Sequence, residues 1–193
     1  MDYLYRTWYR CWQKYFQLLR NATIAGKILL CLIFTLVVAL FAQIKVRLPF
    51  TPVPVTGQVY AVLLTGVLLG RLAPASLVLY LAGGLAGIPW FSGAGSGFLF
   101  PSLGYLVGFI PASFLVGFSA ERLSGCRQLV RQLFLMLAGI TIIYLFGVAW
   151  LSFFLQCGWK RGLLIGALPF IPFDIAKAYL AALTAARILP LRR

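Results

Sequence analysis

Residues 28–44 read Ile28-Leu-Leu-Cys-Leu-Ile-Phe-Thr-Leu-Val-Val-Ala-Leu-Phe-Ala-Gln-Ile44, without a charge, between Lys27 and Lys45. A helix that crosses a bilayer needs about 20 predominantly apolar residues with polar ends, so this stretch predicts a transmembrane helix. Working outward, apolar runs over 56–70, 73–90, 103–120, 132–156 and 162–189 predict five more. Together they nearly exhaust the 193 residues, of which 62% are hydrophobic and 10% charged, with a mean hydropathy of +0.97. Soluble domains are about half apolar and a quarter charged, so water alone cannot be the solvent here. The expected fold is an all-α integral membrane bundle of six transmembrane helices, multi-pass in a cell membrane.

Residues 1–27 differ in kind. Tyr3, Tyr5, Trp8, Tyr9, Trp12, Tyr15 and Phe16 alternate with Arg6, Arg10, Lys14, Arg20 and Lys27. That composition predicts an amphipathic interfacial helix, rings at headgroup level and charges toward lipid phosphates, ahead of a membrane domain over 28–193. The net charge of +14 invites a nucleic-acid partner. The basic residues, however, sit at the ends of apolar runs and form no stripe with interleaved aromatics, which excludes that partner. With alternating spans, twelve Lys and Arg fall on the side of the termini and four (Lys45, Arg47, Lys160, Arg161) on the other. The positive-inside rule then puts the N- and C-termini in the cytoplasm. It gathers the Pro-rich loop 45–55, the Gly-rich loop 92–97 and the Lys160 turn on the outer face.

Glycine pairs Gly66/Gly70, Gly83/Gly87 and Gly104/Gly108 predict close helix approach, and Ala178, Ala181, Ala182, Ala185 and Ala186 make small-residue rows in the last span. Those rows suit packing inside the bundle or against a partner subunit. The four cysteines (Cys11, Cys31, Cys126, Cys157) have no paired spacing, and there is no histidine. Zinc sites, histidine bases and histidine triads are thereby excluded, and no cofactor is expected.

Of three acidic residues, Asp174 alone lies within a predicted span, and Lys177 is the only basic residue within one and away from its end. A charge at the bilayer centre costs about 2.5–3.5 kcal/mol on insertion scales, so this pair needs a reason. Three residues apart, the two share a helix face. They either neutralise each other as packing or hold a polar guest in an apolar cage. Pro169 and Pro172 interrupt the helix just before Asp174, and freed backbone groups are tolerated in membranes only where protein or a cavity covers them. If residues 162–172 are irregular, Asp174 sits in the outer third of the bilayer. If the helix is merely kinked, it sits deeper. An intramembrane enzyme with Lys177 as base and a nearby serine is the rival from another class. The missing histidine and the single intramembrane acid argue against it.

Four motifs in order carry a resemblance: Leu48-Pro-Phe-Thr-Pro-Val-Pro-Val-Thr-Gly-Gln58, Tyr80-Leu-Ala-Gly-Gly-Leu-Ala-Gly-Ile-Pro-Trp-Phe91, Gly104-Tyr-Leu-Val-Gly-Phe109 and Pro169-Phe-Ile-Pro-Phe-Asp174-Ile-Ala-Lys177. Over about residues 28–189 the chain resembles the BioY family, the biotin-specific S components of energy-coupling-factor transporters. The resemblance implies a non-enzymatic subunit that captures biotin at the outer face. It also implies as partners a transmembrane coupling protein and ATPase subunits, since no Gly-x-x-x-x-Gly-Lys-Ser/Thr motif exists in this chain. Asp174 matches a ureido N–H acceptor and Lys177 a donor to a ligand oxygen. Tyr105, Gln58 and Thr56 match polar contacts, and Trp90, Phe91 and Tyr80 apolar walls, with belt or core roles open for the aromatics and a helix-end role for Gln58. A carrier for another small vitamin is the alternative. Three departures stand out: Phe100-Pro-Ser-Leu-Gly-Tyr105 for the usual Gly-Pro-Thr-Gly-Gly-Tyr, Ser92 and Gly93 where relatives often have asparagine, and Ala22-x-x-x-Gly26 as the nearest match to a docking Ala-x-x-x-Ala. They leave carboxylate recognition and coupling open.

Overall fold

Most of the chain is helical because each apolar run satisfies its backbone internally, the only economical arrangement in lipid short of a closed barrel. The computed structural model describes residues 2–98, 100–122 and 128–189, with side chains except for residues 2–7 and 9. Cys126, Arg127, Arg192, Arg193 and the side chains of Tyr3, Tyr5, Arg6 and Tyr9 lie outside the described residues. Within them the order is α1 (Asp2–Asn21), α2 (Ile24–Gln43), a ribbon of β1 (Lys45–Val46) and β2 (Val55–Thr56), α3 (Gln58–Leu69), a 3-10 turn (Gly70–Leu72), α4 (Ala73–Leu85), α5 (Leu103–Arg122), α6 (Leu129–Phe154), α7 (Gly158–Gly166) and α8 (Ile171–Ile188). Four stretches, Ile24–Gln43, Gln58–Leu85, Leu103–Arg122 and Leu129–Phe154, are long and apolar enough to cross a membrane, and α7 with α8 makes a fifth if that bent pair is one span.

Gln58–Leu85 is not a rod. A straight helix would separate Gln58 from Tyr80 by about 33 Å at about 1.5 Å per residue, yet Gln58 Nε2 donates to Tyr80 Oη at 2.8 Å. The chain turns back at Gly70, whose φ of +59° few side chains tolerate. Glu121 fastens the turn: its carboxylate accepts from the Arg71 backbone N–H at 2.9 Å and pairs with Arg71 Nε at 3.1 Å. Gly117 of α5 lies so close to this turn that a Cβ there would strike the Gly70 carbonyl.

Two of the glycine pairs act as expected. A Cβ on Gly104 or Gly108 would press on Trp150 or Ile143 of α6, so these residues let α5 and α6 approach. Gly66 abuts Val116 of α5. The pair Gly83/Gly87 does not pack helices. Gly83 lies under the Trp90 ring, and Gly87, at φ +104°, turns the chain out of the helix, so α4 ends at Leu85 rather than at Trp90. The alanines of α8 settle inward: Ala178, Ala181, Ala182 and Ala185 are fully buried against Leu63, Val67 and Met136. The outer face of α2, by contrast, exposes Leu29, Leu32, Ile33, Leu36 and Leu40, a surface suited to lipid.

The last span departs from expectation in detail. Helix α7 begins already at Gly158, the break covers only 167–170, and α7 and α8 meet at 56°. Pro169 sits in the break. Pro172 falls in the first turn of α8, where its missing N–H has no helical acceptor to lose. Cys11, Cys31 and Cys157 are free thiols.

At the end of the bundle away from the ribbon lies α1. Trp12, Tyr15, Phe16 and Leu19 form its half-buried stripe, while Arg10, Lys14 and Gln17 face outward. Trp12 and Phe16 pack on the cluster containing Val67 and Leu189, and Tyr15 Oη donates to the Leu68 carbonyl at 3.2 Å. Burial pushes the Tyr15 hydroxyl up to about 12.

Gly117→Val should force the hairpin turn off α5 and lower stability by about 1–3 kcal/mol. Thermal melting in detergent should show the drop, while Leu40→Val on the exposed face of α2 leaves the midpoint unchanged.

Candidate functional site

The ribbon end carries the chemistry. Prolines 49, 52 and 54 forbid helix between Lys45 and Thr56, so the segment folds back on itself with Lys45 opposite Thr56 and Val46 opposite Val55. Val53 and Val55 point into the core beside Phe91. Below them the first turn of α3 places Gln58, 3% exposed, in a chain of hydrogen bonds. Its Oε1 accepts from Thr56 Oγ1 at 3.3 Å, and its Nε2 donates to Tyr80 Oη, which in turn donates to the Trp90 carbonyl at 3.2 Å. Trp90 Nε1 returns a bond to the Tyr80 carbonyl at 2.9 Å, with the two rings stacked 5.7 Å apart. Gln58 is therefore held by tertiary partners rather than acting as a helix-end cap.

Opposite this wall, the break before α8 delivers Asp174 to the first helical turn, where the N-terminal end of the helix dipole favours an anion. Asp174 is 4% exposed. Lys177 Nζ donates to its Oδ1 at 2.6 Å, and Tyr144 of α6 donates to its Oδ2 at 2.7 Å. Each carboxylate oxygen can accept twice, so each keeps one site. Lys177 likewise keeps two donors. Tyr105 of α5 crosses to α7 and donates to the Gly166 carbonyl at 2.6 Å. Its ring lies where a Cβ on Gly147 would stand.

Between the two walls is a cavity lined by Thr56, Gln58, Tyr105, Tyr144, Asp174 and Lys177 on its polar side, with Val53, Phe109, Ile143 and Phe170 among its apolar ones. About 490 Å³ of space lies between these atoms, part of it open to the outside, but the room in which a water can sit is only about 40 Å³.

Five of the eight sequence-derived candidates, Asp174, Lys177, Tyr105, Gln58 and Thr56, meet on this cavity. Tyr80, Trp90 and Phe91 stand one layer behind: Phe91 is fully buried, edge-on to Tyr80 at 5.4 Å, and Tyr80 and Trp90 spend their polar atoms holding Gln58 and each other. Sequence reasoning missed Tyr144. The only signal was a phenol inside the apolar run of α6, and nothing in the run says that it faces Asp174. It also missed Ser92 and Ser102, which line the cavity from loops.

The sequence profile of the BioY family matches residues 14–193. Biotin transporter BioY of Rhizobium etli is 38% identical over 168 residues, covering 81% of this chain and 88% of that protein. Probable biotin transporter BioY of Pyrococcus horikoshii is 37% identical over 168 residues, covering 85% and 96%. Among solved structures, the S-component for biotin from an ECF-type ABC transporter superposes with a TM-score of 0.76 at 27% identity, covering 84% of this chain and 90% of that one.

The pair geometry gives a sign-specific expectation. Lys177→Met strands a carboxylate and Asp174→Asn strands an ammonium, each costing about 2.5–3.5 kcal/mol. The double variant Asp174→Asn/Lys177→Met should recover most of that loss in thermal melting. A double variant as unstable as the sum of the singles would show that the two charges do not compensate each other.

Proposed function

The chain belongs to the BioY family, and we propose that it is the biotin-binding S component of an energy-coupling-factor transporter, capturing biotin from the outer side of the cell membrane. One observation carries the reading: a half-satisfied carboxylate, Asp174, faces a cavity with one polar and one apolar side, with Tyr144 and Lys177 fixing both its oxygens. Biotin's ureido ring offers two N–H donors and a carbonyl acceptor. Asp174 accepts from a ureido N–H through the site each oxygen retains, Lys177 donates to a ligand oxygen, and Gln58, Thr56 and Tyr105 supply further polar contacts. The apolar walls cover the fused rings. Trp90, Phe91 and Tyr80 serve the ligand indirectly, by holding Gln58 and backing that wall.

The topology that fits is six spans, with α3 and α4 crossing separately as a hairpin and α7 with α8 forming one broken span. The positive-inside rule then sets the end with α1 and the Gly70 turn in the cytoplasm, with both termini, and the ribbon end outside. On that side α1 lies in the interface with Arg10 and Lys14 toward lipid phosphates. The family is one of transporter subunits, so the chain is not an enzyme. Energy for uptake comes from other chains, a transmembrane coupling protein and ATPase subunits.

Detergent-purified protein should retain biotin, and Asp174→Asn and Lys177→Ala should each weaken retention more than tenfold, about 1.4 kcal/mol. Equilibrium binding with a panel of vitamins tests specificity at the same time. Silence with biotin and a response to thiamine or riboflavin would end the biotin reading.

A further inference from the structure

A second and roomier cavity, about 520 Å³ against about 40 Å³ for the first, lies at the opposite end of the bundle, under α1. Its place follows from how α1 is tethered. Only residues 22–23 separate α1 from α2, and Thr23 Oγ1 caps α2 by accepting from the Gly26 N–H at 3.2 Å. Tyr15 and the aromatic stripe fasten α1 to α3 and to the end of α8. The space that remains lies toward the end of α5, where Ala120 and Glu121 line it. Its described walls are of two kinds. Phe16, Leu19, Val67, Leu68 and Leu189 make an apolar interior. Gln13, Gln17 and Arg20, all exposed, follow one another along one edge of α1 at helical spacing and form the mouth.

Charge decides what this cavity suits. Among the described residues, no hydrogen bond or ion pair engages the side chains of Gln13, Gln17 or Arg20. Glu121, the one carboxylate in the described lining, is spent on Arg71: one oxygen accepts from its backbone N–H and the other pairs with its Nε. The mouth therefore presents one uncompensated guanidinium and two amides above an apolar interior. A soluble anion would use the mouth and leave the interior wet. A molecule with both a phosphate and a hydrocarbon chain matches the two halves at once. On the topology proposed above this end lies at the cytoplasmic leaflet, whose anionic lipids offer that combination at that depth.

We propose that this cavity is a site for one anionic phospholipid of the cytoplasmic leaflet, with its phosphate on Arg20, the Gln13 and Gln17 amides donating beside it, and an acyl chain against Phe16, Leu19 and Leu68. The assignment rests on the topology given above and is independent of which vitamin the ribbon end takes. Bound lipid fills the space between α1 and α5 and so fastens the aromatic helix to the bundle. Arg10 and Lys14, on the outward face of α1, meet lipid as a diffuse charged surface, whereas Arg20 marks a discrete site.

The test titrates purified, delipidated protein in detergent with phosphatidylglycerol and with phosphatidylcholine, counting bound lipid by native mass spectrometry. One phosphatidylglycerol should bind per chain in preference to phosphatidylcholine, and it should raise the melting temperature. Glycerol phosphate, the headgroup without chains, should not displace it. Arg20→Gln should weaken retention about fivefold, the ~1 kcal/mol that a basic side chain is worth at an anionic surface. Lys14→Gln removes the same charge from the outward face of the same helix and should leave retention unchanged. Ala120→Leu, which narrows the cavity and keeps every charge, should weaken it. Melting temperatures without lipid check that the variants fold. Equal effects of Arg20→Gln and Lys14→Gln would reduce the binding to diffuse attraction. Displacement by glycerol phosphate would give the site to a soluble anion, and full retention in Ala120→Leu would put the lipid elsewhere; any of the three overturns the proposal. The topology is checked apart from it, with a membrane-impermeant maleimide on intact cells carrying the Cys157→Ser protein. Cys11 of α1 should stay unlabelled; its labelling would sink the orientation, while a lipid site measured in detergent would stand.

Discussion

A carboxylate buried in a bundle that has lipid for solvent must be matched by donors, and the arrangement around Asp174 follows from that demand. Lys177, one turn along α8, supplies a charge, and Tyr144 of α6 supplies a hydroxyl. The break at 167–170 puts the acid at a helix N-terminus instead of mid-helix. The same break bends α7 away by 56° and exposes the Gly166 carbonyl, which Tyr105 of α5 then satisfies. Four helices are therefore tied together around one site by polar bonds, and the cavity lies among them.

Away from this site, packing is a matter of close backbone approach. Lipid tails are as apolar as leucine, so helices gain little by burying apolar surface from one another, and shape decides instead. Gly104 and Gly108 seat α5 on α6, Gly117 seats it on the hairpin turn, and the alanines of α8 pack on α3 and α6. The far end is closed by α1, whose aromatic stripe covers the ends of α3 and α8. The polar cavity lies at the opposite end, beside the ribbon.

Much of this architecture was legible in the chain. Apolar runs between basic residues marked the helices to within a few residues, because lipid imposes both a minimum length and polar ends on a span. The hairpin was legible at Gly70 and Arg71, although length and hydropathy alone would read Gln58–Leu85 as one helix. Asp174 and Lys177 were conspicuous as the charges that had no business in lipid. What stayed hidden depends on tertiary contact. Tyr144 has the same local surroundings as any belt tyrosine until α6 meets α8. Trp90, Phe91 and Tyr80 read as walls in a linear motif, but the return of the chain after Gly87 stacks them on one another behind Gln58. Helix α7 starts earlier than expected because Gly158, at φ +73°, can turn the chain directly out of α6.

On the proposed reading, the partition of hydrogen bonds is what would make such a site selective. Had Asp174 been fully satisfied by protein, it would be mere packing; had it been bare, the desolvation penalty would have fallen on the empty protein. One donor on each oxygen fixes the carboxylate's plane while leaving one acceptor site per oxygen, so an incoming N–H group would meet an acceptor already oriented. A ligand lacking such a donor would displace water from the carboxylate and return nothing, a mismatch that buried polar sites punish far more than a missing methylene.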